Sequence, residues 1–374
     1  MKKLKARGIP LILIIVFIVV AGAGCGNGNS SQSDKQSNNT AQNSTTPSTR
    51  TIVDGTGKNV TIPYKVERVA AGGALNQVVL LVGGADKLVA TAENVQIGFF
   101  PKVYPRIKKI PAAYTGKSGP GTLDMEIVLK TNPQVVFGGT TGSAEQEKLK
   151  KSNIAFLGLK LNTPEDIKST VSMVGKVLGK DGEEKAQKFN EYYDGNLKYV
   201  EDKTESAEKV KVFAATGSPK GQITTIAGND INSSYIEAAG GTNIVAEKFP
   251  GDKSNSQSAS VDFEFLYKNQ PDVITVRSKD MYDYIMTPGA KNQWQSLNAV
   301  KNKRVYLEAK GVYLWSVRSA EGALQPLWLA KNLHPELFKD LDLKSKTKEY
   351  YKTFYNYDLS DSEVNEILNL NSAD

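Results

Sequence analysis

A thirteen-residue segment of this chain has a diverged second copy. Asp124-Met-Glu-Ile-Val-Leu-Lys-Thr-Asn-Pro-Gln-Val-Val136 aligns without gaps on Asp262-Phe-Glu-Phe-Leu-Tyr-Lys-Asn-Gln-Pro-Asp-Val-Ile274. Asp, Glu, Lys, Pro and Val are identical, and most other pairs keep their polarity. Each copy reads as an Asp N-cap, a short helix, a Pro breaker and a buried strand. A second echo pairs Val82-Gly83-Gly84-Ala85-Asp86 with Ala239-Gly240-Gly241-Thr242-Asn243. Related segments this far apart predict two similarly built lobes.

Strand-like and helix-like runs alternate from Thr51 to the end. Arg68–Ala71, Lys87–Ala90, Gln134–Phe137 and Ile154–Leu157 read as strands. Ser143 opens a helix, with Gln146 three places on as a capping box. Thr163-Pro164-Glu165-Asp166 is a helix start with Pro at the first position. The fold class is therefore α/β, with largely parallel sheets. Between the two copies, Asp181 to Ser206 has no Pro, and Ala186, Phe189, Tyr193, Leu197 and Val200 recur at helical spacing. It reads as one long rigid helix joining the lobes. The domain organisation is then an N-terminal lobe (51–180), an interlobe helix (181–206) and a C-terminal lobe (207–374).

Residues 1–24 read as a secretory signal. Lys2, Lys3, Lys5 and Arg7 precede an apolar run from Ile9 to Ala21, which is short for a membrane span. The run ends in Ala21-Gly22-Ala23-Gly24-Cys25. Small residues before a lone Cys resemble the bacterial lipoprotein cleavage motif, in which Cys25 becomes the lipid anchor. Gly22 departs from that motif, which usually has a larger aliphatic residue there. An uncleaved membrane anchor is the alternative. Residues 25–50 are rich in Ser, Asn, Gln and Thr without apolar period, and read as a solvated tether. About 25 residues of coil reach roughly 25–30 Å. The chain has 47 basic and 40 acidic residues, a formal charge of +7. Four of the basic residues belong to the signal, so no nucleic-acid partner follows from charge.

From about Thr51 to Leu370 the chain resembles the iron-siderophore and vitamin B12 class of ABC-transporter substrate-binding proteins. Val53-Asp54-Gly55-Thr56-Gly57-Lys58-Asn59-Val60-Thr61-Ile62-Pro63 is similar to that family's N-terminal hairpin. Arg68-Val69, Asp86-Lys87-Leu88-Val89, Lys303-Arg304-Val305-Tyr306, Trp315 and Pro335-Glu336-Leu337-Phe338 follow in the family's order. The resemblance implies two Rossmann-like lobes bridged by one helix, with ligand in the cleft. It implies an extracytoplasmic receptor, without cofactor or catalysis, that delivers a metal chelate (ferric siderophore, corrinoid or haem) to an ABC permease and ATPase complex. It also implies that one acidic residue per lobe, Glu126 and Glu264, docks on the permease. A first-turn acid is favoured by the helix dipole in any case. The protein is expected to be a monomer, held at the cell membrane by its lipid.

Ligands of open α/β sheets bind beyond the carboxyl ends of the strands. The loops there carry Phe99, Phe100, Tyr104, Tyr114, Arg277, Tyr282, Tyr284, Tyr313, Trp315 and Arg318. Rings can stack on a flat body, and arginine offers a planar donor fork to carboxylates. Tyr114, Arg277, Tyr313, Trp315 and Arg318 are the ligand-binding candidates, with Tyr313–Arg318 the densest cluster. Each ring could equally pack its own loop. The single His, His334, reads as structural and argues against bare zinc or manganese as the ligand. No protein metal ligand is expected, since corrinoids and ferric siderophores need none; a haem would take a Tyr. The alternatives are an extracellular hydrolase on a related fold and a surface receptor for a signalling partner. The first lacks a Gly-x-Ser-x-Gly elbow before a helix.

Overall fold

The computed structural model describes residues 48–116, 122–139, 142–251, 257–289 and 292–370. The signal, Cys25 and most of the tether lie outside these residues. The chain opens on a hairpin of β1 (Thr49–Val53) and β2 (Asn59–Pro63). Asp54 closes it by accepting from the N–H groups of Thr56 and Lys58 at 2.8 and 2.9 Å. Thr49 and Arg50 thus belong to a strand, not to the tether assigned to 25–50. Their polarity gave no strand signal, and pairing with Pro63 and Ile62 supplies the order.

The first sheet contains β3 (Val69–Ala71), β4 (Leu88–Ala92), β5 (Ala112–Thr115), β6 (Thr122–Leu123), β7 (Val135–Gly138) and β8 (Ala155–Gly158). Its order is β6-β5-β4-β3-β7-β8, parallel except for β6. The second half adds β9 (Val210–Ala215), β10 (Ile223–Ile226), β11 (Gly241–Asn243), β12 (Ser258–Val261), β13 (Val273–Val276) and β14 (Val305–Leu307). Four of these make a parallel sheet, β11-β9-β13-β14, while β10 and β12 pair antiparallel. The order β4-β3-β7-β8 is repeated in β11-β9-β13-β14.

The repeat seen in sequence holds at the level of single bonds. Asp124 caps its helix by accepting from Glu126 and Ile127, and Asp262 accepts from Phe265. Val128 and Leu266 are buried at the same position. Both helices end on a left-handed residue, Asn132 and Gln270. Gln134 then pairs with Arg68, and Asp272 with Lys211, each through a backbone bond and a side-chain acceptor. Gly83 and Gly240 of the second echo both have positive φ, as a turn into the next strand requires. The capping box expected at Ser143 is absent: Gly142 is the N-cap and Ser143 is already helical.

Helix Lys180–Thr204 bridges the two sheets, two residues shorter at its end than expected. Ala186, Phe189, Tyr193 and Val200 are buried on one stripe. It doubles back on helix Pro164–Leu178, and the two backbones meet at Gly175 and Gly182. One apolar core runs from the first sheet through this helix to the C-terminal helices; a second lies around Phe213, Leu266, Ile274 and Trp294. The range 207–374 assigned to the C-terminal lobe includes helices Leu343–Tyr355 and Asp361–Ile367. These touch both halves. Tyr351 meets Phe99 edge-on at 5.9 Å and Lys102 pairs with Glu366 at 2.8 Å, while Lys310 N–H donates to Ile367.

Candidate functional site

The carboxyl ends of β4 and β8 face those of β10, β13 and β14 across the junction of the halves, and hydrogen bonds span it. Asn94, just after β4, donates to the Tyr313 hydroxyl at 3.2 Å. Gln257 donates to Asn162 at 3.3 Å and to the Asn229 carbonyl at 3.4 Å. Deeper, the Ala320 N–H donates to Gln77 at 2.8 Å. Segments 229–230 and 313–318 therefore both lie at this junction.

Arg277 leaves the end of β13 between those segments. Its side chain is 21 % exposed. Asp230 and Glu308 each approach it at 3.7 Å, and the Ser316 carbonyl at 3.5 Å. These are long contacts, and Nε is buried without a hydrogen-bond partner. Five donors in a rigid fork are thus only loosely used. Glu308 is fully buried under the arginine, where Thr275 donates to it at 3.0 Å and Ser316 also donates. Burial raises its pKa, opposed by Arg277, Ser316 and Thr275. Burial also raises the pKa of Asp230, opposed by Arg277, the Asn232 N–H and Arg318. Arg318 is exposed and close enough to Asp230 to act on its charge.

The sequence candidates divide. Arg277 contacts Asp230, Arg318 acts on the charge of Asp230, and half-buried Tyr313 bonds across the junction. Trp315 is fully buried in the core. Tyr114 is also buried, donating to the Phe137 carbonyl at 3.2 Å with its ring against Gly72. Phe99 and Phe100 are core residues as well, while Tyr284 stays exposed. These four rings are buried because a loop over a sheet end must bury something, and aromatic side chains offer the largest apolar area. Asp230, Glu308, Asn94, Asn162 and Gln257 were not among the candidates. Glu308 had a signal, an acid directly after an apolar strand, and Asp230 stood before a helix as a cap. His334 caps helix Gln325–Leu333 and contacts the Gly240 carbonyl at 3.2 Å. Among the described residues no cluster of three or more His, Cys, Asp or Glu could hold a metal ion.

Residues 69–309 match the periplasmic binding protein family. The chain belongs to that family. The molybdate-binding protein MolA of Haemophilus influenzae is 26% identical over 341 residues, covering 82% of this chain and 91% of MolA. A periplasmic solute binding protein from Veillonella parvula matches with a TM-score of 0.74 at 26% identity, covering 86% of this chain and 98% of its own. The structure of MolA bound to molybdate matches with a TM-score of 0.70 at 21% identity, covering 83% and 99%. Periplasmic binding proteins are extracytoplasmic, bind small ligands and deliver them to ABC transporters. The chain is accordingly a solute-binding protein of an ABC transporter and not an enzyme.

Glu126 and Glu264 are both exposed, in the first turns of the repeated helices. Each helix precedes a parallel strand of its sheet and must run against it. Both helix starts therefore lie at the carboxyl ends of the sheets, the level of the cleft.

Proposed function

We propose that the protein captures a metal chelate of the ferric siderophore, corrinoid or haem class beside Arg277 and Arg318. The observation that carries this reading is the loosely used Arg277 fork at the cleft, with Arg318 exposed nearby. Such donors suit the oxygen-rich rim of a chelate. A permease and ATPase complex docks on Glu126 and Glu264 and receives the ligand at the cleft mouth. Cys25 carries the lipid that tethers a monomer to the membrane. Two-sided docking orients the partner more than it adds affinity.

A compact oxyanion is a second reading, favoured by the likeness to a molybdate-binding relative. Tryptophan fluorescence titration with ferrichrome, cyanocobalamin, haem and molybdate tests both. One chelate is expected to bind stoichiometrically at micromolar concentration or below, and Arg277→Ala with Arg318→Ala to weaken it at least tenfold. Tight binding of molybdate alone selects the oxyanion. Binding that ignores both arginines overturns the assignment of the site.

A further inference from the structure

Asp230 does more in this cleft than cap a helix. It does cap Ile231–Ala238, accepting from the Asn232 N–H at 2.9 Å. Asparagine and serine would cap as well. The position instead holds a carboxylate 3.7 Å from Arg277 and within electrostatic reach of Arg318. Its cap bond and its Arg277 contact both use Oδ1. Its side chain is 11 % exposed, whereas that of Glu308, the other acid on Arg277, is 0 % exposed. Asp230 is therefore the acid of this cluster nearer to solvent, and its Oδ2 makes no hydrogen bond among the described residues.

We propose that Asp230 is a specificity-determining residue that selects ligands carrying amide N–H or hydroxyl donors beside the oxygens read by Arg277 and Arg318. An ionised carboxylate only accepts hydrogen bonds. It rewards a ligand donor and repels a bare anionic oxygen set at the same place. A site built for a donor discriminates strongly against the analogue that lacks it, because its own buried acceptor is left unpaired. Amide-rimmed chelates meet this demand; a fully deprotonated tetrahedral oxyanion and the carboxylates of haem do not. Burial raises the pKa of Asp230, so the discrimination is expected to fade as pH falls.

The inference rests on the cleft reading above, and the test separates the two. Dissociation constants of wild type, Asp230→Asn and Asp230→Ser are measured by calorimetry at pH 7.5 for ferrichrome and cyanocobalamin, which carry amide donors, and for haem and molybdate, which do not. Both variants keep a helix cap, and a thermal melt checks that they fold. The wild type is expected to bind a donor-bearing chelate best. Both variants should weaken it about tenfold, the scale of one hydrogen bond to a charged group, and bind molybdate or haem no worse or better than wild type. A wild type that prefers molybdate or haem overturns the proposal, as does a variant that shifts all four probes alike or none. Wild type binding none of the four overturns the cleft reading itself, and this assignment with it.

Discussion

Glu321 is fully buried, and burial pushes its carboxyl from 4.5 up to about 7, against hydrogen bonds from Tyr351 and the N–H groups of Tyr313 and Val312. Those bonds hold the cleft loop that carries Tyr313, at 2.9 Å for its own N–H. The folded protein thus keeps a proton that the unfolded chain gives up near 4.5. Between about 4.5 and 7 the native state binds more protons, so stability falls as pH rises through that window. The effect is on the order of 3 kcal/mol. Melting temperatures from pH 4.5 to 8 should fall with pH in the wild type, and less steeply in Glu321→Gln. Equal slopes in the two proteins would mean that Glu321 does not titrate as described. At this scale the sequence exposed Arg277 and Arg318, because charged side chains at strand ends have few other places to go. It did not show that Trp315 is buried in the core. A ring packs a core or a ligand by the same forces, and only the position of the neighbouring backbone decides.

The bridging helix contains two glycines with opposite surroundings. A Cβ on Gly182 would stand 2.8 Å from the Gly175 carbonyl oxygen, on the backbone of the preceding helix; a Cβ on Gly195 would meet nothing within 4 Å. Gly182→Ala should therefore force the two helices apart and cost about 1–3 kcal/mol. Gly195→Ala should stabilise by about 0.5–1 kcal/mol, since alanine loses less backbone entropy in a helix. Chemical denaturation of both variants checks the pair, and the same sign for both would refute this account of the packing. The helix itself was legible from its apolar stripe, within two residues at each end. Its close partner was not, because a glycine in sequence does not say whether it marks a weak point or a point of contact. The capping box at Ser143 failed for a related reason. The chain entered that helix one residue early, on Gly142.

Across the whole molecule, two of the connections between the halves add to each other. The bridging helix is one; the C-terminal helices that grip both Phe99 and Lys310 are the other. A doubly tied pair of lobes should close little on binding. Small-angle scattering of the protein with and without a chelate that binds is expected to show nearly equal radii of gyration, and a large compaction would contradict the stiffness. Charge reversal at both Glu126 and Glu264 should abolish uptake by cells while leaving ligand affinity unchanged. Normal uptake by that double variant would remove the docking role.

By itself the sequence determined the repeated construction, the alternation of strands and helices, the bridging helix and the two exposed acids. All of these follow from local rules, since capping, period and breaker residues act within a turn or two of the chain. Only the tertiary structure decided which rings were core, which acids stood beside Arg277, and that the C-terminal helices return to the first half. Those outcomes join residues far apart in the chain, such as Asp230 with Arg277 or Phe99 with Tyr351. Their energies depend on burial and distance, which exist only once the sheets have packed.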